Sequence, residues 1–178
     1  MILVAAAGAV LGSAWDLLHV RTHTTIYSIG AGKMPFWVPL EFALVYVVGV
    51  TGIARFGSPK PDAESRNRCV AEAVWVTIVY AITAAGHRYE FVVFVLAAAA
   101  LLVRRRMLRK LVPANLLPAL ALVVLGPLVE TILVSAGVFS YTHASLGKVA
   151  IWLPLLYANA VPFAIRLTET ALGEPASA

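Results

Sequence analysis

LVPANLLPALALVVLGPLVETILVSAG, residues 111–137, is the stretch that decides the fold. Its 27 residues (137 − 111 + 1) carry a single charge, Glu130. At 1.5 Å per helical residue, about 20 apolar residues cross a hydrocarbon core of about 30 Å, so the run predicts a membrane-spanning helix. Pro127 sits inside it. A proline there has no N–H for the carbonyl of Val123, so it predicts a kink and a freed acceptor one turn from Glu130.

Outward from this run the pattern repeats. Apolar segments at about 2–20, 36–54, 70–86, 90–104, 111–137 and 149–167 predict an all-α integral membrane protein with six transmembrane helices. These form a single domain over residues 1–178, with a short polar C-terminal tail over 168–178. The composition agrees: 61% hydrophobic and 13% charged residues, where a soluble domain is about half apolar and a quarter charged. Phe56–Arg68, the longest polar stretch, spans only 13 residues, too few to fold independently. Any site is therefore built from membrane helices and short loops. The first segment carries Asp16 and has no basic residue before Arg21, which reads as a spanning helix and not a cleaved signal. The fourth is short, and either ends with its arginines snorkelling or forms a re-entrant hairpin with the third.

Charge sets the orientation. Arg55, Lys60, Arg66, Arg68, Arg104, Arg105, Arg106, Arg109, Lys110 and Arg166 fall on one side, against Arg21, Lys33, Arg88 and Lys148 on the other. The positive-inside rule places both termini in the cytoplasm. Arg outnumbers Lys and Ala is abundant, which suggests a bacterial source and so the inner membrane. The net charge of +5 is accounted for by topology and lipid headgroups, with no nucleic acid implied.

A parallel internal repeat organises helices 1–2 and 5–6. Gly12, Asp16 and Tyr27-Ser28 match Gly126, Glu130 and Tyr141-Thr142 at an offset of 114. Gly32-Lys33 and Trp37-Val38-Pro39-Leu40 match Gly147-Lys148 and Trp152-Leu153-Pro154-Leu155 at 115. Copies running in the same direction imply a pseudo-two-fold axis along the membrane normal. Recurrence of Trp and Pro at membrane interfaces is the alternative origin.

The expensive features are polar groups inside apolar runs. A carboxylate near the bilayer centre costs at least about 2.5 kcal/mol, so Glu130 is expected to be hydrogen-bonded or to face a cavity. Asn159, three residues before Pro162, is the comparable feature of the last helix. Together they describe a polar spot for a lipid hydroxyl, or simply interhelical packing contacts. Asp16 lies near the outer end of helix 1, where interfacial water is also within reach. Phe139, Tyr141, Trp152 and Tyr157, with Tyr27 and Trp37, fit an aromatic belt or a ligand wall. Asp16, His19 and His23 share one helix face if the helix continues. The threonines at 22, 24 and 25 argue against that continuation, and no metal or other cofactor is expected. Neither a Gly-x-Ser-x-Gly turn nor a phosphate loop is present.

The stretch Gly137-Val138-Phe139-Ser140-Tyr141-Thr142, followed without gaps by Val149 and Trp152-Leu153-Pro154, resembles the Insig family. These are six-helix proteins of the endoplasmic reticulum that respond to oxysterols. The resemblance implies a non-enzymatic membrane protein that holds a sterol-like lipid among its helices. Animal members also retain a partner bearing a sterol-sensing domain. Thr131, beside Glu130, stands where the family has its ligand-linked glutamine. Ser145 stands where it has the loop aspartate needed for partner function, so no protein partner is carried over.

The leading expectation is a lipid-binding or sensor protein. Glu130, Thr131, Asn159 and Asp16 would receive the hydroxyl of a sterol-like or diacylglycerol-like neutral membrane lipid, and Phe139, Tyr141 and Trp152 would wall it. Self-association is left open. The alternative is an isoprenoid- or carotenoid-modifying membrane enzyme with Asp16 and Glu130 as paired acid and base.

Overall fold

A computed structural model describes residues 1–29 and 33–173. The helices in chain order are α1 (Ile2–Arg21), α2 (Val38–Phe56), α3 (Ser65–Gly86), α4 (Glu90–Val103), the short α5 (Arg105–Leu111), α6 (Leu116–Ser135) and α7 (Leu153–Gly173). Four helical stretches are long and apolar enough to cross a bilayer: Ile2–Arg21, Val38–Phe56, Ser65–Val103 and Pro113–Ser135. The third of these takes in both α3 and α4, joined by a single 3-10 turn at His87–Tyr89 and packed on one another.

The last helix departs from its expected form. Its apolar run was expected to end near residue 167 in a polar tail from 168, but α7 continues to Gly173 with Thr168 and Glu169 buried. Residues 174–178 lie outside the described part. Nine residues of α7 are buried, Asn159 among them, and it packs against α2, α3, α4 and α6. A helix sheathed by protein rather than lipid tolerates polar groups that find partners. Glu169 accepts from Arg166 at 2.6 Å and from the backbone N–H of Lys60 at 3.2 Å. The helix ahead of it matches its 111–137 run to within two residues at each end: the span covers Pro113–Ser135, a 3-10 turn at Pro113–Asn115 followed by α6.

The all-α expectation needs one amendment. Two three-residue strands, β1 (Thr25–Tyr27) and β2 (Phe139–Tyr141), pair antiparallel as Thr25↔Tyr141, Ile26↔Ser140 and Tyr27↔Phe139. Each follows a helix that ends in the same way. After α1, His23 takes a left-handed φ of 60°, its N–H donates to Val20 O at 3.1 Å, and Thr24 N–H reaches back to His19 O at 2.8 Å. After α6, Gly137 takes φ 74°, donates to Val134 O at 3.0 Å, and Val138 reaches Leu133 O at 3.0 Å. Both are Schellman closures, which satisfy orphan carbonyls and turn the chain back. Two further bonds tie the strands to each other, Ser28 N–H to Val138 O and Thr142 N–H to Thr24 O, each 3.1 Å. Gly32, one member of the matched pairs, lies outside the described residues.

The core is divided by position. At the strand end, Val20, Tyr27, Phe139, Tyr141, Val149 and Trp152 pack together. At the opposite end, where α5 carries its basic residues, Ile53, Leu111, Ala119, Val161 and Ile165 form a second cluster. Half-buried Arg104 pairs there with Glu72 and lies 4.7 Å over the Trp75 ring.

Candidate functional site

Glu130 and Asp16 occupy similar settings near the strand end. Each carboxylate accepts a hydrogen bond from a tyrosine hydroxyl eleven residues further on: Asp16 from Tyr27 at 3.0 Å, and Glu130 from Tyr141. The helix places the carboxylate, and the Schellman turn and strand bring the tyrosine back beside it. Burial first, and the neighbouring carboxylates second, hold both tyrosine hydroxyls above their ordinary pKa range, so they remain protonated donors.

Glu130 has a further partner that Asp16 lacks. Tyr157 on α7 donates to its second oxygen at 2.7 Å. That contact depends on Gly126, one turn earlier on α6. A Cβ there would run into the Tyr157 ring, so only glycine lets the ring lie against the helix at the height of Glu130. Gly12 does the same on α1 for Phe42 of α2.

Tyr157 also links the carboxylate to a cavity of about 110 Å³ among α1, α2, α3, α6 and α7. Its walls are aromatic, including Trp15, Phe42, Tyr46, Tyr80 and Phe163. Trp15 stacks on Tyr80 at 5.3 Å and meets Phe163 edge-on at 5.5 Å. The cavity is therefore an apolar slot with a tyrosine-bridged carboxylate at one wall.

The other expected site residues are distributed differently. Asn159 shares no partner with Glu130. Its amide donates to Ala97 O at 3.1 Å and Leu155 O at 2.9 Å, and its oxygen accepts from Trp75 at 3.2 Å. With 1% exposure it is an interhelical tie. Thr131 donates to the Pro127 carbonyl at 2.8 Å. Trp152, fully buried, lies against His19 and Tyr141 in the core. Phe139 packs between Tyr27 and Tyr141. Asp16, His19 and His23 do not converge: His19 bonds Thr83 at 2.8 Å, and His23 lies beyond the helix end. Among the described residues no group of three His, Cys, Asp or Glu could hold a metal ion. Ser145, at the family's aspartate position, is held by Glu90 through both its hydroxyl and its N–H.

Sequence reading places Tyr157 in an aromatic belt or ligand wall but does not pair it with Glu130, and it does not single out Tyr46 or Tyr80. The signal for Tyr157 was present. Carrying the 115-residue offset past the Trp-x-Pro-Leu motif pairs Phe42 with Tyr157 (157 − 42 = 115), and a hydroxyl on only one of two matched aromatics marks a difference in chemistry.

No family model matches the chain, and neither does any curated protein sequence. Solved structures do match. The mycobacterial Insig homologue MvINS from Mycobacterium vanbaalenii aligns with TM-score 0.80 and 26% identity, over 99% of this chain and 96% of that one. A cross-linked MvINS trimer aligns at TM-score 0.81 and 27% identity, with the same coverage. The resemblance is to the Insig family in its bacterial form. The Insig-type fold and the apolar helices make this an integral membrane protein.

Proposed function

We propose that the chain is a non-enzymatic lipid-binding protein of the sterol-sensing kind. A neutral lipid places its hydroxyl at Glu130 and Tyr157 and its body between the helices. The observation that carries this reading is the double role of Tyr157, whose ring lines the aromatic cavity while its hydroxyl donates to Glu130. A hydroxyl-bearing lipid can join that bond by donating to a carboxylate oxygen or to the tyrosine oxygen. At about 110 Å³ the cavity suits the polar end of such a molecule. A sterol ring or acyl chain needs more, since whole-ligand pockets hold about 300–1,000 Å³, so the body continues between the helices toward the bilayer. Sterol-like and diacylglycerol-like lipids both meet this description.

Two arguments support binding over catalysis. Both Glu130 oxygens are already held by tyrosine hydroxyls, whereas a general acid needs reach to the reacting atom. Asp16 is likewise committed to Tyr27. The matched turns, strand bonds and carboxylate–tyrosine pairs support a parallel repeat about an axis along the membrane normal, and the one-sided distribution of basic residues over six apolar segments supports both termini in the cytoplasm of a bacterial inner membrane. The trimeric MvINS favours self-association of this chain as well.

The test is lipid extraction and mass spectrometry on detergent-purified protein. A neutral lipid with a free hydroxyl is expected in wild type, depleted at least about tenfold in Glu130→Leu and reduced in Tyr157→Phe, because a hydrogen bond to a charged group contributes about 1.5–3 kcal/mol. A wild-type preparation consistently free of lipid overturns the reading.

A further inference from the structure

A second cavity, larger than the one beside Tyr157, lies elsewhere. About 520 Å³ opens between α4 and α6 at the basic end, lined by residues including Leu101, Leu108, Arg109, Ala119, Leu120 and Ala158. Its shape follows from the packing: α4 and α6 both rest on α7 and barely touch each other, leaving a groove floored by α7. The rims carry exposed apolar side chains, Leu102 on α4 and Leu116 and Leu120 on α6, so the groove faces the hydrocarbon of the bilayer. The short α5 closes its end.

Charge at that closed end is one-sided. No acidic residue occurs between Glu90 and Glu130. Arg104 is neutralised by Glu72, but among the described residues Arg105, Arg106, Arg109 and Lys110 form no ion pair. All four are exposed, while Leu108 and Leu111 of the same helix turn inward. Arg109 is the one charged residue that also lines the groove.

We propose that this groove is a second lipid site, selective for an anionic glycerophospholipid. One acyl chain lies along α6 and α7, and the phosphate is held by Arg109 with Arg105 and Lys110 beside it. Charge complementarity chooses this occupant. A neutral lipid leaves Arg109 without a counter-ion, and a soluble anion leaves the apolar groove unfilled. Each basic residue near a membrane surface strengthens anionic-lipid binding about fivefold. The site is separate from Glu130 and does not rest on the reading given for it.

The experiment is native mass spectrometry of the full chain released from nanodiscs containing equal phosphatidylglycerol and phosphatidylcholine. Wild type is expected to retain phosphatidylglycerol at least about fivefold over phosphatidylcholine. Arg109→Gln should lower that preference about fivefold, and the double variant Arg105→Gln, Lys110→Gln should do so if the first does not fold. Ala158→Phe, which fills the groove, should lower total phospholipid retention. All the groove variants should keep a cooperative thermal unfolding transition in detergent, the sign of an intact fold. Equal retention of the two phospholipids by wild type overturns the proposal. So does retention unchanged by Ala158→Phe, or displacement by soluble glycerol 3-phosphate.

Discussion

The stretch from Gly12 to Phe42 and the stretch from Gly126 to Tyr157 follow the same backbone plan with different chemistry. Each has a glycine where the next helix lays an aromatic ring across it, a carboxylate one turn on, a left-handed turn and a three-residue strand. Each also has a tyrosine bonded back to the carboxylate. They diverge at the aromatic ring, which is Phe42 in one and Tyr157 in the other. That one hydroxyl gives Glu130 a second donor and connects it to the cavity wall. Frame and chemistry have separated: the shared parts position a carboxylate, and the unshared hydroxyl gives one of the two the second donor on which the proposed lipid site rests.

The largest effect that could break this comparison is on lipid retention. Glu130→Leu should remove at least about tenfold of the bound neutral lipid, while Asp16→Leu, which costs only the Tyr27 bond, should change it less than about threefold. Equal losses, read by lipid mass spectrometry, would mean that the two carboxylates serve one ligand jointly. Next in size is the effect of the glycines. Gly126→Val and Gly12→Val each force a ring away from its helix, at a cost of about 1–3 kcal/mol from overpacking. Thermal unfolding in detergent should show both variants destabilised, with Gly126→Val alone also losing lipid, because only its ring carries a hydroxyl to Glu130.

Much of the fold was legible in the sequence because the bilayer imposes a simple rule: spans are apolar and charge stays in loops. α7 escaped that rule because it is enclosed by protein, so Thr168 and Glu169 could be buried with partners. The site was only half legible. A carboxylate in an apolar run announces itself by its cost, and Glu130 and Asp16 stood out for that reason. Asn159 announced itself in the same way, and its bonds run to Ala97, Leu155 and Trp75 on neighbouring turns and helices; cost alone does not distinguish a ligand contact from a packing contact. Tyr157 carried no cost signal, as a tyrosine near a membrane interface is ordinary. Its role came from which helix lies against Gly126, a tertiary fact. The strands were hidden for a similar reason: three-residue segments pair only because two turns, 114 residues apart (137 − 23), aim them at each other.

The turns themselves offer a smaller test. Gly137 at φ 74° has no Cβ to strain, whereas His23 at φ 60° does. Gly137→Ala should cost about 1–2 kcal/mol. His23→Gly should gain less than that, because glycine's greater freedom in the unfolded chain offsets part of the relief. Unfolding midpoints moving in opposite directions would establish that the turns are equivalent closures with unequal residues. A His23→Gly variant less stable than wild type would mean that the imidazole makes a contribution of its own in the first turn.

The smallest and most pointed test installs the missing hydroxyl. Phe42 lies against Gly12 as Tyr157 lies against Gly126, so Phe42→Tyr should carry its hydroxyl toward Asp16 in the way Tyr157 reaches Glu130. A net gain of about 0.5–1.5 kcal/mol is expected if the new bond forms, visible as a raised unfolding midpoint that Asp16→Asn diminishes. The same cavity wall holds both aromatics, so the variant also offers a lipid hydroxyl a second carboxylate–tyrosine pair. If the stabilisation appears but lipid content stays at the wild-type level, the second half alone recognises the ligand for reasons beyond this hydroxyl; a rise in lipid content would instead identify Phe42 as the residue that keeps the first half silent.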